Sequence, residues 1–301
     1  MTQSTSTPAV SAALDTSHDK IRCAYPPQDP LSPLGEAYSA NALELGADVR
    51  GGEDAAYGSD PQQRLTVFRP IDPSGIVLVL FHGGGWTNGY KEWMYLMAPP
   101  LNAAGVTVVC PTYRLAPKHV FPAGFDDCAD AMAWVQANVV APLGDKARLF
   151  VGGHSAGGHY AALLAVTDGW KAARELPAGL LAGCLPISGV YLFGEDSGLS
   201  ARPRFLGTDT AKDRAASPLL NMTSETMPPF LLSYGSDDFP HLRRQAEAMI
   251  AALADRRAPC DVIVLDGLDH FQAAISTADA SGPWAARAVA WMRDKAATPT
   301  A

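Results

Sequence analysis

"LFVGGHSAGGHYAALLAV", residues 149–166, sets a single serine, Ser155, between Gly153 and Gly157, with one apolar run before it and another after it. The first run reads as a strand and the second as a helix. A serine that only capped a helix would not need a glycine on each side. A sharp strand-to-helix turn does need them, because it forces the serine into a strained backbone conformation and only small neighbours clear the adjoining strand. The serine oxygen is then lifted above the sheet edge, beside the helix N-terminus. The stretch therefore predicts a nucleophile and the kind of sheet that carries it.

Outward from this turn, apolar strands recur at regular intervals. "RLTVFRP" (64–70), "GIVLVLFHGG" (75–84) and "VTVVCPTYRL" (106–115) precede it, and "ARLFVGG" (147–153) leads into it. "LAGCLPIS" (181–188), "PFLLSYGS" (229–236) and "DVIVLDG" (261–267) follow. Several are apolar on both faces, as a buried parallel sheet requires. Helical patterns separate them: "EWMYLMAPPLNAAG" (92–105), a 3.6-residue recurrence of Phe125, Cys128, Ala129, Met132, Val135 and Val139, another of Leu242, Ala246, Met249, Ile250 and Leu253, and "SGPWAARAVAWMRDKA" (281–296). The alternation predicts an α/β fold, a mainly parallel central sheet with helices on both faces. Ligands of such sheets bind beyond the carboxyl ends of the strands. Residues 1–21, rich in Ser, Thr, Ala and Pro, read as a disordered tail, 22–60 as an N-terminal arm or partial cap, and 61–301 as the catalytic domain.

Composition narrows the function. The 301 residues are 48% hydrophobic and 18% charged, with a net charge of -8. That balance excludes a nucleic-acid binder, which needs clustered Lys and Arg. Cys23, Cys110, Cys128, Cys184 and Cys260 are odd in number and widely spaced, which suits unpaired thiols in a reducing compartment and gives no zinc site. The N-terminus lacks the basic start and apolar core of a signal peptide, and no apolar run reaches the roughly 20 residues of a membrane span. The expectation is a cytoplasmic protein without metal, cofactor, nucleic-acid or membrane partner; assembly as a homo-oligomer is left open.

An acyl-transfer serine needs donors for the developing oxyanion, and "FHGGGW" (81–86) offers a glycine-rich turn after a strand. The amides of Gly83 and Gly84 are the candidates, with Gly85 able to replace either, and Ala156 supplies a third. His82 reads as a brace for this loop. The base must be a histidine held by an acid. Of seven, His18 lies in the tail, His119 in a proline-rich loop, and His241 opens a helix. His154 and His159 flank the nucleophile and turn away from its oxygen. His270, in "DGLDHF" past the last strand, is the base. Asp237 and Asp238, after the preceding strand, are the candidate acids, with Asp238 favoured. Trp86, Tyr90, Trp93 and Tyr95 line an aromatic pocket or belong to the core; Trp86 and Tyr90 are taken as substrate-binding. The connection 189–222 is long enough to cover a site.

"GHSAG" matches the nucleophile elbow of the α/β-hydrolases. "HGGGW", "YRLAPKHVFPAGFDD" and "GHSAGG" together resemble the hormone-sensitive-lipase-like branch of that superfamily. "YGSDPQQRLTVFRP", "VGGHSAGGHYAALLA", "LPISGVYLF", "DDFPHLRRQ" and "LDHF" resemble the arylformamidase (kynurenine formamidase) and small-carboxylesterase group, over residues 57–295. In that group a glutamine follows the acid by seven positions, and Asp238 with Gln245 keeps the spacing. The resemblance implies a Ser155–His270–Asp238 serine hydrolase with a small ester or formamide substrate, cleaving small acyl groups from aryl amides or esters. The alternative is a non-catalytic ligand receptor on the same fold. Such receptors typically lose the histidine, whereas all three positions are filled here.

Overall fold

The computed structural model describes residues 18–297. Among these residues eight strands form one sheet in the order β1-β2-β4-β3-β5-β6-β7-β8. They are β1 (Gly52–Ala56), β2 (Arg64–Phe68), β3 (Ile76–Phe81), β4 (Thr107–Pro111), β5 (Arg148–His154), β6 (Leu181–Ile187), β7 (Phe230–Gly235) and β8 (Cys260–Leu265). β2 runs antiparallel to β1 and β4, and every pairing from β4 across to β8 is parallel. β3, β4, β5 and β6 are buried at every position or all but one, which is why their sequences are continuous apolar runs rather than alternating ones.

Among the described residues ten α-helices surround the sheet: α1 (His18–Ala24), α2 (Pro33–Gly46), α3 (Ala98–Ala103), α4 (Ala123–Val135), α5 (Ala156–Val166), α6 (Gly169–Ala172), α7 (Lys212–Ala216), α8 (Pro240–Asp255), α9 (His270–Ile275) and α10 (Pro283–Ala297). Two apolar layers form, one on each sheet face. The first includes Met132, Val135, Leu163, Leu164, Met249 and Leu253 from α4, α5 and α8. The second includes Tyr38, Leu43, Trp93, Trp284 and Met292 from α2, the segment 91–97 and α10.

The seven expected strands and the alternation are all present. Three local differences have physical reasons. The helical pattern at 92–105 divides into a 3-10 segment, Lys91–Met97, and α3, with Pro99 and Pro100 at the front of α3, where missing amide hydrogens cost least. β1 lies in the expected arm, outside the seven strands that the sequence predicts. It is an exposed edge strand carrying Glu53 and Asp54, the charged character by which sheet edges avoid further pairing. Residues 18–21 of the expected tail belong to α1, with Ile21 buried, while the rest of that tail lies outside the described residues. Among the described residues no helix is long and apolar enough to cross a membrane. All five cysteines are free, three of them buried.

Candidate active site

Ser155 sits between β5 and α5 with φ 54° and ψ -115°, a left-handed backbone that costs a serine on the order of 1–3 kcal/mol and persists only where the surroundings enforce it. The enforcing contacts are visible. The Ser155 amide donates to the Ile187 carbonyl at 2.9 Å. A Cβ on Gly157 would lie 2.0 Å from the Phe81 carbonyl oxygen, and one on Gly153 would lie 2.5 Å from the same atom. The flanking glycines are there because β3 passes too close for any side chain.

His270, the first residue of α9, places Nε2 2.9 Å from Ser155 Oγ and Nδ1 2.9 Å from Asp238 Oδ1. A carboxylate only accepts, so Nδ1 carries the proton and Nε2 is left to accept from the serine hydroxyl. Asp269 caps α9 by accepting from the amides of Phe271 and Gln272, which fixes where the helix, and hence His270, begins. Asp238 follows β7, is 2% exposed, and accepts from the Phe239 amide at 2.7 Å. Burial alone would push its carboxyl up. The hydrogen bond and charge of His270, with help from Ser188 and the Phe239 amide, outweigh that and hold it below the usual carboxylate range. Asp237 is exposed, so of the two expected acids the structure brings Asp238 to His270.

The turn 82–89 closes over Ser155. A Cβ on Gly83 would be 3.2 Å from Ser155 Cβ, and one on Gly84, at φ +106°, would be 2.1 Å from the Asn88 carbonyl oxygen. Among the described residues the Gly83 and Gly84 amides donate to no acceptor outside helices and strands, and Ala156, at the first position of α5, has no acceptor within its helix. His82 is the brace. It stacks on Tyr113 with centroids 4.3 Å apart, its Nδ1 donates to the Gly83 carbonyl at 2.7 Å, and burial lowers its pKa to about 4.

A cavity of about 210 Å³ opens at Ser155 and His270, lined by Gly84, Gly85, Trp93, His154, Phe239 and Phe271 together with Leu31, Ser32, Gly35 and Tyr38 of the arm. Trp86 and Tyr90, expected to bind substrate, are not in this wall. Trp86 is left-handed at φ 64°, which turns its indole to stack on Phe205 at 4.2 Å and to donate to His159 Nδ1 at 3.0 Å. Tyr90 packs against Tyr25 and Trp93. The sequence reading marks the arm as a partial cap without naming its residues as site residues. α2 lies across the 91–97 segment, with Trp93 Nε1 donating to Ser39 Oγ at 3.0 Å and Tyr38 meeting Trp93 edge-on at 5.2 Å.

Two connections tie the cover down. Gln28 exchanges hydrogen bonds with the Gly89 carbonyl at 3.0 Å and the Gly89 amide at 2.8 Å, fastening the arm to the glycine turn. Arg204 pairs with Asp29, joining the connection 189–222 to the arm. Gln245 of α8 accepts from the Tyr191 and Leu192 amides and donates to the Leu192 and Ser197 carbonyls. Its spacing from Asp238 thus serves to anchor that connection.

The family described as alpha/beta hydrolase fold matches residues 78–273. Esterase LipC of Mycobacterium tuberculosis is 33% identical over 235 residues, 71% of this chain and 58% of that protein. A probable isoprenylcysteine alpha-carbonyl methylesterase of Oryza sativa subsp. japonica is 28% identical over 243 residues, 71% of this chain and 55% of that one. The chain thus spans little more than half the length of these curated relatives. Among solved structures, an esterase of Pyrobaculum calidifontis superposes with a TM-score of 0.71 at 23% identity, covering 89% of this chain and all of that one.

Proposed function

The chain belongs to the alpha/beta hydrolase family, and on that premise we propose that it is a serine esterase for small carboxylic esters. The observation that carries the reading is the relay Ser155–His270–Asp238, two contacts of 2.9 Å each, opening into a cavity of about 210 Å³. Ser155 Oγ attacks the ester carbonyl carbon as its proton passes to His270 Nε2. The oxyanion is met by the amides of Gly83, Gly84 and Ala156, donors already aimed before charge develops. Collapse breaks the bond to the leaving oxygen, which takes the proton from His270. Water, deprotonated in turn by His270, then cleaves the acyl-enzyme. Asp238 holds the tautomer and stabilises the imidazolium throughout.

Cavity size and wall chemistry support short acyl groups. The volume is below the roughly 300–1,000 Å³ of sites for drug-sized ligands. The walls are aromatic (Tyr38, Trp93, Phe239 and Phe271), suited to an aryl leaving group. That aromatic lining is also what favours a second reading, hydrolysis of aryl formamides, in which the same attack expels an aromatic amine. Values of kcat/KM for p-nitrophenyl esters from acetate to decanoate, beside an N-formyl aromatic amine, test both readings. The esterase reading expects efficiency to peak between acetate and butyrate. A steady climb past octanoate would refute the short-acyl reading. Formamide turnover well above ester turnover would replace the esterase reading by the second.

A further inference from the structure

His154 ends β5 and immediately precedes the nucleophile, yet its hydrogen bond goes to the backbone of the base and not to Ser155 Oγ. Nε2 lies 2.9 Å from the main-chain oxygen of His270. A carbonyl only accepts, so Nε2 bears the proton and donates. Nδ1 is then the lone-pair nitrogen, and it is buried with no hydrogen-bond partner. The ring is 1% exposed, 4.7 Å from the His270 ring and 5.6 Å from that of Tyr38. Leaving a buried acceptor unsatisfied is costly, and an apolar side chain would avoid that cost. What an apolar side chain could not supply is the bond from residue 154 to residue 270.

We propose that His154 is a positioning residue that fixes the base relative to the nucleophile. Its side chain joins the backbone beside Ser155 to the backbone of His270, so the turn carrying the nucleophile and the helix carrying the base are held as one unit. The 2.9 Å Oγ–Nε2 contact depends on that distance being constant. Burial, with the neighbouring His270 adding to it, lowers the pKa of His154 to about 3. The residue therefore stays a neutral donor of fixed tautomer and adds no positive charge beside the imidazolium that forms on His270.

His154→Gln and His154→Asn test this, because the two amides differ in reach and not in chemistry. The Gln nitrogen falls near the place of Nε2, whereas the Asn nitrogen falls near Nδ1 and cannot meet the His270 carbonyl. Three readouts are taken: thermal unfolding, kcat and KM on p-nitrophenyl acetate, and the downfield proton resonance of His270 Nδ1–H. Asn is expected to lower kcat by about tenfold to a hundredfold, the scale of a misplaced catalytic group, with KM changed less than about twofold. Gln is expected to recover most of kcat and to keep the resonance, which broadens away in Asn. Equal losses in both variants, or a loss confined to KM or to unfolding temperature, would overturn the proposal. The inference rests on the serine-esterase reading, but the resonance needs no substrate. If the wild-type enzyme cleaved no ester and the resonance still followed Gln against Asn, the functional reading would fall and the positioning role would stand.

Discussion

The tautomer of His270 is decided by what faces its Nδ1. With Asp238 Oδ1 at 2.9 Å, the proton stays on Nδ1 and the lone pair on Nε2 is aimed at Ser155. Asp238→Asn would replace the acceptor with an amide able to donate, which reverses the preferred tautomer and removes the charge that stabilises the imidazolium. We expect kcat to fall by about 10³–10⁴, the scale of that exchange in a serine protease triad. Asp237→Asn, at an exposed position, should leave kcat close to wild type. Steady-state kinetics of the two variants decide the matter, and the reverse ranking would remove Asp238 from the relay. These residues were legible in the sequence because each stands just after a strand, where chain order and fold leave few alternatives. Trp86 was misleading for a local reason. Its aromatic character suggested a binding wall, but a left-handed backbone angle, which composition does not reveal, directs it towards His159.

Elements set the site by how closely they pass. Gly→Ala inside a helix ordinarily gains about 1 kcal/mol, yet at Gly157 the new Cβ would meet the Phe81 and His82 carbonyl oxygens at 2.0 and 2.5 Å. The Phe81 oxygen belongs to β3, which is in register with β5 at Gly153, and the His82 oxygen is held by the Tyr113 hydroxyl at 2.8 Å, so neither retreats freely. Gly157→Ala should therefore destabilise by at least about 1–3 kcal/mol, as overpacking does. Gly169→Ala, with nothing within 4 Å, should be neutral or mildly stabilising. Urea midpoints compare them, and equal midpoints would contradict the steric account of the turn. α2 supplies the opposite wall, so Tyr38→Ala should enlarge the cavity and raise the ratio of hexanoate to acetate kcat/KM by about tenfold, the effect of a methylene or two in an apolar pocket. An unchanged ratio would place the acyl group elsewhere. The seven strands from β2 to β8 could be read from apolar runs, whereas β1 could not, since its burial pattern is that of an exposed edge. Which arm residues face the cavity was equally hidden, because that depends on how α2 docks on the 91–97 segment rather than on its own periodicity.

At the scale of the molecule, three of the buried histidines, His82, His154 and His159, give stability a pH dependence. Burial is the leading cause of lowered pKa in each: His82 and His159 to about 4, and His154 to about 3. Below the unfolded value near 6.5 the unfolded chain binds protons that the folded chain does not. Stability therefore falls as pH drops from about 6.5 towards about 4, with each histidine contributing up to about 1.4 kcal/mol per pH unit in that window. Asp238, whose carboxyl is held low, works in the same direction at more acid pH, since its contribution is lost as it protonates. Chemical unfolding at pH 7.5 and pH 5 should show a clear loss at the lower pH, without any change in the folded-state circular dichroism at either. Equal stabilities would mean that the buried histidines are protonated in the fold.

The central claim is that Ser155 is the nucleophile of an ester hydrolase. It is tested most directly by treating the wild-type protein and Ser155→Ala with a serine-directed aryl phosphonate and following adduct mass, labelled peptide and esterase activity together. The account predicts one adduct per wild-type chain, on the peptide carrying Ser155, with activity lost in step, and neither adduct nor turnover in Ser155→Ala. Labelling on another peptide, or Ser155→Ala hydrolysing esters at a rate near wild type, would contradict it.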